Sequence, residues 1–138
     1  MNPGFWLRIG AVWGFLAVLM GAFGAHGLEE RFHSLGQQSK GLTYERLHGN
    51  FQTAAQYHMY CALALLAVGC FAATGRGGIA LQTAGWLILL GSFIFSGSLY
   101  VLSVTGLRWL GAITPIGGVA ILAGWLALAV AAGTTAGT

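Results

Sequence analysis

Four long apolar stretches, each nearly free of charged residues, constrain this chain more than any other feature. They lie at about residues 5–27, 50–74, 78–103 and 109–132 of the 138-residue sequence. A helix needs about 20 residues to cross the roughly 30 Å hydrocarbon core of a bilayer, because it rises about 1.5 Å per residue. The sequence therefore predicts an all-α membrane protein, a single domain of four transmembrane helices in an antiparallel bundle.

The composition supports a membrane protein and argues against a nucleic-acid-binding one. The chain is 57% hydrophobic and 7% charged, whereas a soluble domain has about 25% charged residues. Its net charge of +3 comes from six basic residues spread over several connections, which form no basic patch. Arg8, the apolar run after it and the 22–25 segment also resemble a signal peptide. That run is longer than a usual signal core, so we expect a membrane span.

The only long polar connection covers residues 28–49 and holds all three acidic residues of the chain. Within it, Leu28, Phe32 and Leu35 recur at helical spacing, which predicts a short interfacial helix on the membrane surface. The segment from Gly36 to Gly41 predicts a break, and a second helix is expected to begin near Leu42. This loop should therefore lie at the membrane interface.

Basic residues near the ends of the spans predict how the protein is oriented in the membrane. Arg8 and Arg76 lie on one side. Four basic residues lie on the side of the long loop: Arg31, Lys40, Arg46 and Arg108. This excess favours a cytoplasmic long loop with both termini outside.

Four alternating helices bring the end of span one, the start of span two, the end of span three and the start of span four to one membrane face. We call this face the loop end, and most of the unusual polar residues lie there. Polar side chains are costly in lipid unless they face the bundle interior, a cavity or another subunit. The predicted ligand or partner site comprises His26, Gln56, Tyr57, His58, Cys61, Ser96, Ser98, Tyr100, Thr114, Pro115, Gly117 and Gly118.

Helical spacing in the second span puts Tyr57, His58 and Cys61 within reach of one helix face. Imidazole and thiolate bind copper, zinc and iron well, so His26, His58 and Cys61 are candidate ligands for a metal or haem. No strong spacing motif supports that hypothesis. A simpler role for the two histidines is a hydrogen bond to a backbone carbonyl or a neighbouring helix. The sequence therefore requires no cofactor.

Small residues recur along the first and third spans and predict close helix packing. In lipid they let helix backbones approach one another, where dispersion and interhelical hydrogen bonds replace the missing hydrophobic drive. The residues assigned to packing are Gly10, Gly14, Gly21, Gly24, Ser92 and Ser96, with Gly85 and Ser103 on the same third-span stripe. The partner helix could belong to this chain or to a second subunit.

The Thr114-Pro115 pair permits two geometries. Pro115 could kink a helix that starts at Trp109, which is the favoured interpretation. Alternatively, Thr114 could cap a helix that begins at Pro115, where the missing N–H costs nothing. In the second case Gly117 and Gly118 would expose backbone N–H groups that could receive an anionic or carbonyl group.

Several segments together resemble domain-of-unknown-function family 423. They are Gly21–Leu28, Tyr57–Leu65, Phe95–Tyr100 and Ile113–Gly118, with the pair Gly124 and Trp125. The likeness covers nearly the whole chain in the same order. It implies a small four-helix membrane protein of the kind found in the bacterial inner (plasma) membrane, with relatives in mitochondria and no established activity. Family members often carry basic second loops and tails, which would place the termini inside, so orientation stays open.

One position departs from the family pattern. The second-span motif of the family usually reads Tyr-x-x-aromatic-His, and Cys61 occupies its histidine position here. His58 lies one turn earlier and could substitute for it. The change puts a strictly imidazole-dependent acid/base mechanism in doubt.

Three functional hypotheses follow. The leading one is a non-enzymatic membrane protein that binds lipid or a partner subunit, either as a homo-oligomer or within a membrane complex. A second is a binding site or enzyme for a small molecule, metal or haem, built from His26, His58 and Cys61 with their polar neighbours. A third is an oligomeric pore or transporter. The absence of carboxylates from the spans argues against proton coupling and against a carboxylate general base.

Overall fold

Helices account for almost all of residues 2–133, the part of the chain that the computed structural model describes. In chain order they are α1 (Pro3–His26), α2 (Glu29–Gln38), α3 (Tyr44–Ala73), α4 (Gly78–Thr105), a 3₁₀ helix (Arg108–Ala112) and α5 (Thr114–Gly133). α1, α3, α4 and the segment Arg108–Gly133 are each long and apolar enough to cross a membrane. The predicted fold class, an all-α membrane protein with four such helices, is confirmed.

The four long helices divide into a central pair and two outer helices. α3 packs against α4, while α1 packs on α3 and α5 packs on α4. In the most apolar window of each helix, 44% of α3 and 50% of α4 is buried, but only 17% of α1. The outer helices therefore present most of their apolar side chains to the surrounding lipid.

Glycines set the distance between α1 and α3. A Cβ atom at Gly10 would lie 2.8 Å from the backbone nitrogen of Leu66, and one at Gly24 would collide with the ring of Phe51. Gly14 and Gly21 face α3 more loosely, because a Cβ there would meet methyl groups at 3.7 and 3.9 Å. The glycine stripe of the first span thus contacts a helix of the same chain.

The interface between α4 and α5 is built in the same way from both sides. A Cβ atom at Gly91 would lie 2.8 Å from the backbone nitrogen of Ile121, and one at Gly124 would lie 2.6 Å from Cγ1 of Ile88. Each glycine lets the opposite helix approach closely, whereas a larger residue would hold the two backbones apart. Such close contact increases the dispersion attraction that holds helices together in lipid.

The short helix α2 covers the loop end of the bundle. Leu28, Phe32 and Leu35 are buried, and Phe32 is 0% exposed. They pack with Leu42, Leu47, Phe51, Leu102 and Leu110 in one apolar cluster. Nε of Arg31 also donates a hydrogen bond of 3.0 Å to the carbonyl oxygen of Val104, near the C-terminal end of α4.

The break after α2 begins later than the sequence predicts. Gly36 lies inside α2, which ends at Gln38. There its missing side chain permits a close contact with α3, because a Cβ would lie 2.8 Å from the nitrogen of Tyr44. The glycine was interpreted as a helix breaker, but it serves close packing instead.

One of two helix starts agrees with the sequence prediction. α3 starts at Tyr44, close to the predicted helix start near Leu42, and continues through the predicted span from Asn50; the hydroxyl of Thr43 caps it by accepting a 3.2 Å hydrogen bond from the backbone N–H of Arg46. α5 starts at Thr114, after the 3₁₀ helix. Pro115 therefore lies in a first turn, where its missing N–H has no partner to lose, and the favoured prediction of a kinked helix from Trp109 is wrong.

Candidate functional site at the loop end

The polar residues predicted at the loop end lie in three separate places. Some line a cavity at the membrane interface or are buried beside it where α4 meets α5, and others form a buried network between α1, α3 and α4. The remainder are exposed on the surface of the bundle. The geometry of each group decides what chemistry it can support.

The interface cavity lies where α3 and α5 begin and α4 approaches its end. Its volume is about 390 Å³, and Arg46, Asn50 and Arg108 line it together with apolar side chains. The other lining residues are Leu42, Phe95, Leu99, Leu102, Gly111, Thr114 and Pro115. We call this space the arginine cavity.

The two arginines keep most of their hydrogen-bonding capacity free. Nη1 of Arg46 donates to the carbonyl oxygen of Gly41, and Nη1 of Arg108 donates to that of Lys40, both over a long 3.5 Å. A guanidinium has five N–H donors. Within residues 2–133, no glutamate forms an ion pair with either arginine. The cavity therefore carries two positive charges that form no ion pair with a described carboxylate.

Two of the predicted site residues form a hydrogen bond between α4 and the start of α5. The hydroxyl oxygens of Ser98 and Thr114 lie 2.7 Å apart, and both residues are buried. Ser98 also lies 3.0 Å from the carbonyl oxygen of Phe95, and Thr114 lies 3.2 Å from that of Leu110. These hydroxyls are satisfied inside the protein, so their role in this arrangement is to join two helices.

The glycines at the start of α5 differ in their surroundings. Gly117 is buried against α4, where a Cβ atom would collide with the backbone nitrogen of Phe95 and lie 2.7 Å from the carbonyl oxygen of Gly91. At Gly118 a Cβ would meet only the Phe95 ring, at 3.6 Å. Gly117 thus serves packing, and the Thr114 hydroxyl bonds backwards to Leu110.

The buried network begins with His58 on α3. Nδ1 of His58 lies 3.2 Å from the hydroxyl of Tyr100 on α4, and its ring packs edge-on against Trp13 of α1, with the ring centroids 4.8 Å apart. Nε1 of Trp13 donates a 2.9 Å hydrogen bond to the hydroxyl of Ser92. Three helices are thereby joined through polar side chains within the bundle.

Two polar atoms of this region have no hydrogen-bond partner among the described residues. They are Nε2 of His58 and Oγ of Ser96, and both atoms are buried. Their residues are 6% and 2% exposed. A buried polar atom without a partner is costly, because it loses its hydrogen bonds to water without replacement.

The remaining predicted site residues lie on the surface. His26 is exposed at the end of α1. Tyr57 is 41% exposed and packs against the ring of Phe95, while Gln56 lines a groove between α1 and α3. His58 faces the interior and Tyr57 does not, so the second span does not present its tyrosine, histidine and thiol to one common space.

The candidate metal ligands are not assembled. The ring of His58 contacts Trp13 on α1. His26 lies more than three helical turns beyond Trp13, which corresponds to about 20 Å along α1. No group of three or more His, Cys, Asp or Glu side chains is placed to hold a metal ion in the part of the chain that the structure describes. The geometry gives no support to a site built from His26, His58 and Cys61.

The sequence reasoning missed three residues of these sites. Arg46 and Arg108 were counted only as charges that set orientation, although both adjoin the start of a helix at the same membrane face. Trp13 was not considered. A tryptophan in the middle of an apolar span is a usable signal, since its N–H needs a partner when buried.

The fold and these surroundings define a multi-pass α-helical membrane protein. The chain belongs to the family described as "Protein of unknown function (DUF423)", whose model matches residues 20–118. The resemblance inferred from the segment motifs is therefore confirmed.

Relatives from Bacillus and Staphylococcus agree with this assignment. The UPF0382 membrane protein YwdK of Bacillus subtilis (strain 168) is 46% identical over 124 residues, covering 90% of this chain and 92% of the relative. A UPF0382 membrane protein of Staphylococcus haemolyticus is 42% identical, covering 87% and 88%. One from Staphylococcus aureus (strain USA300) is 43% identical, covering 89% and 90%. No solved structure matches the chain.

Proposed function

We propose that the protein is a non-enzymatic membrane protein that binds the anionic headgroup of a phospholipid in the arginine cavity. The observation that carries this proposal is that Arg46 and Arg108 line the same cavity and form no ion pair with a carboxylate. Guanidinium groups recognise phosphate through strong, directional hydrogen bonds. The bacterial plasma membrane is the proposed location, which the four apolar helices and the bacterial relatives support.

The lining of the cavity suits an amphiphile better than a free anion. Phe95, Leu99 and Leu102 contribute apolar surface beside the two arginines. A phospholipid could place its phosphate between the guanidinium groups while its chains follow the apolar side towards the membrane. Inorganic phosphate would use only the charged part of the cavity.

The geometry favours lipid binding over assembly through the small-residue stripes. Those stripes were predicted to bind another helix of this chain or of a second subunit. Gly10 and Gly24 contact α3, and Gly91 and Gly124 join α4 to α5. Because these close contacts occur within one chain, they supply no argument for a homo-oligomer or a larger membrane complex.

Native mass spectrometry of protein in nanodiscs can test the proposal. We expect the protein to retain about one phosphatidylglycerol molecule in preference to phosphatidylcholine. The double substitution Arg46→Gln, Arg108→Gln should weaken this retention about tenfold or more, since each hydrogen bond to a charged group contributes about 1.5–3 kcal/mol before solvent screening. Added inorganic phosphate should not compete at millimolar concentration if the chains contribute.

The matched control is Arg8→Gln, Arg76→Gln, which removes the same charge from the opposite membrane face. It should leave lipid retention unchanged. Equal loss in both double variants would mean that net charge alone attracts the lipid. Full retention after loss of Arg46 and Arg108 would overturn the proposal. Competition by phosphate would identify a free anion as the ligand instead.

A further inference from the structure

A second cavity lies at the side of the bundle, apart from the arginine cavity. Its volume is about 220 Å³, and it is formed between α1, α3 and α4. It is lined by Trp13, Met20, His58, Phe93, Ser96 and Tyr100, among others. We call it the histidine cavity.

The histidine cavity opens towards lipid near the middle of the membrane. Phe93 lines it and is 66% exposed, so the mouth lies on a lipid-facing surface of α4. Trp13 stands about 15 Å from the start of α1, close to half the roughly 30 Å thickness of a hydrocarbon core. A molecule can therefore reach the cavity only if it dissolves in the membrane.

The two unpartnered polar atoms belong to side chains that line this cavity. Nε2 of His58 and Oγ of Ser96 have no hydrogen-bond partner among residues 2–133. The opposite ring nitrogen of His58 is held by Tyr100 at 3.2 Å. The imidazole is thus fixed in orientation, while its other nitrogen is buried beside the cavity without a hydrogen-bond partner.

The chemistry of these groups points to an oxygen function on a ligand. If the Tyr100 hydroxyl donates to Nδ1, Nε2 carries the proton and can donate to a carbonyl oxygen. If Nδ1 donates to Tyr100, Nε2 is a lone pair that can accept from a hydroxyl. The Ser96 hydroxyl can serve in either arrangement. The same imidazole can therefore bind a ring carbonyl in one tautomer and the corresponding ring hydroxyl in the other.

The size and lining of the cavity restrict the rest of the ligand. Pockets for drug-sized molecules hold about 300–1,000 Å³, whereas this one holds about 220 Å³. It can enclose a small head group, and the remainder of the molecule must lie outside in the lipid. Most of the lining is aromatic or aliphatic, which favours a flat apolar ring as that head group.

We propose that the histidine cavity binds the head group of a membrane-soluble quinone or quinol, with His58 and Ser96 as hydrogen-bonding partners of its ring oxygen. The tail of the molecule would lie along the lipid-facing surface beside Phe93. The proposal concerns binding and is independent of the lipid site, because the two cavities share no lining residue.

Equilibrium titration of the protein in phosphatidylcholine nanodiscs with decylubiquinone tests this inference. Saturable binding of one molecule per chain is expected. Decylbenzene, which has the same tail and no ring oxygen, should bind at least tenfold more weakly. Equal binding of the two compounds would refute a site that recognises a ring oxygen, and no saturable quinone binding would refute the site altogether.

Two substitutions locate the binding site. Ser96→Ala removes an unpartnered hydroxyl, so it should leave thermal stability unchanged or raised while it weakens quinone binding about tenfold. Gly97→Leu should abolish binding by filling the cavity, since Gly97 lines it and a Cβ there would meet no atom within 4 Å. Unchanged quinone affinity in both variants would overturn the proposal even if wild-type protein binds quinone.

Controls are available on the same helices. Ser103→Ala removes another buried α4 serine, whose hydroxyl bonds to the Leu99 carbonyl oxygen at 2.8 Å. Gly49→Leu adds the same side chain to α3 at a position where a Cβ also meets nothing. Both should bind quinone as the wild type does. Weaker binding in these controls, equal to that in Ser96→Ala and Gly97→Leu, would show a general effect on the bundle and contradict the assigned site.

Discussion

At the end of the bundle opposite the loop end, which we call the closed end, one large side chain fills the space between α1 and α4. Trp6 is 2% exposed, and its ring lies so near Gly85 that a Cβ there would be 2.6 Å away. Trp86 packs edge-on against it, with the ring centroids 5.4 Å apart. At the loop end, by contrast, the arginine cavity leaves about 390 Å³ between the helices.

The two ends of the bundle therefore differ in role: close packing at the closed end stabilises the bundle, and the space at the loop end can receive a ligand. At the closed end, a large ring against glycine gives close packing between α1 and α4. At the loop end, α2 covers part of the bundle with apolar side chains, and the two arginines lie beside unfilled space. The buried histidine lines the second cavity, nearer the middle of the bundle. Both candidate binding sites therefore lie away from the closely packed closed end.

The largest expected effect is that of Trp6→Ala at the closed end. Removing a fully buried tryptophan leaves a cavity between α1 and α4, and such changes cost about 3–5 kcal/mol in soluble cores. We expect a loss of unfolding free energy of that order, measured by reversible unfolding in mixed detergent micelles. The binding of lipid and quinone should persist in the molecules that stay folded.

Trp109→Ala provides the comparison at the loop end. Trp109 is 60% exposed, so its removal should change the unfolding free energy by no more than about 0.5 kcal/mol. If Trp109→Ala cost as much as Trp6→Ala, the closed end would not be the better packed of the two.

A smaller effect is expected from two neighbouring glycines where α5 meets α4. Gly117→Ala places a Cβ atom against the backbone of Phe95 and should cost about 1–3 kcal/mol by pushing the helices apart. Gly118→Ala meets only a ring at ordinary distance and should be neutral or slightly stabilising, because alanine favours the helix. The same unfolding assay measures both. Similar costs for the two variants would show that the α4–α5 contact does not depend on close backbone approach.

The sequence predicted the helices well because their lengths and apolar composition follow directly from the bilayer. Gly10 and Gly24 lie on a visible stripe, and the structure places both against α3. The boundaries were less accurate where local signals compete. Gly36 has the composition of a break, yet it lies in α2 because it permits contact with the nitrogen of Tyr44.

The candidate sites were harder to predict, since depth along the membrane does not say which way a side chain faces. Tyr57 and His58 are adjacent in sequence, but one is exposed and the other is buried towards Trp13. His26 shares the loop end with other polar residues and still lies far from His58. Arg46 in the first turn of α3 and Arg108 at the start of the 3₁₀ helix line one cavity although they are far apart in sequence, and periodicity cannot show this.

The smallest expected effect compares the two ends of a single helix. At the loop end, Thr43 caps α3 by accepting a hydrogen bond from the N–H of Arg46 at 3.2 Å. Loss of such a cap costs about 0.5–2 kcal/mol, so Thr43→Ala should lower the unfolding free energy by about 1 kcal/mol. Thr43→Ser should restore most of that loss.

At the closed end of the same helix, the exposed hydroxyl of Thr74 donates to the carbonyl oxygen of Phe71 at 2.7 Å. Thr74→Ala should cost less than Thr43→Ala, because the polar surroundings of an exposed helix end can replace a single donor to that carbonyl. Comparing Thr43→Ala with Thr74→Ala therefore tests whether capping stabilises α3 mainly at the loop end, where α2 and the arginine cavity adjoin it. A larger cost for Thr74→Ala would mean that the closed end depends on polar capping as well as on the packing of Trp6 and its apolar neighbours.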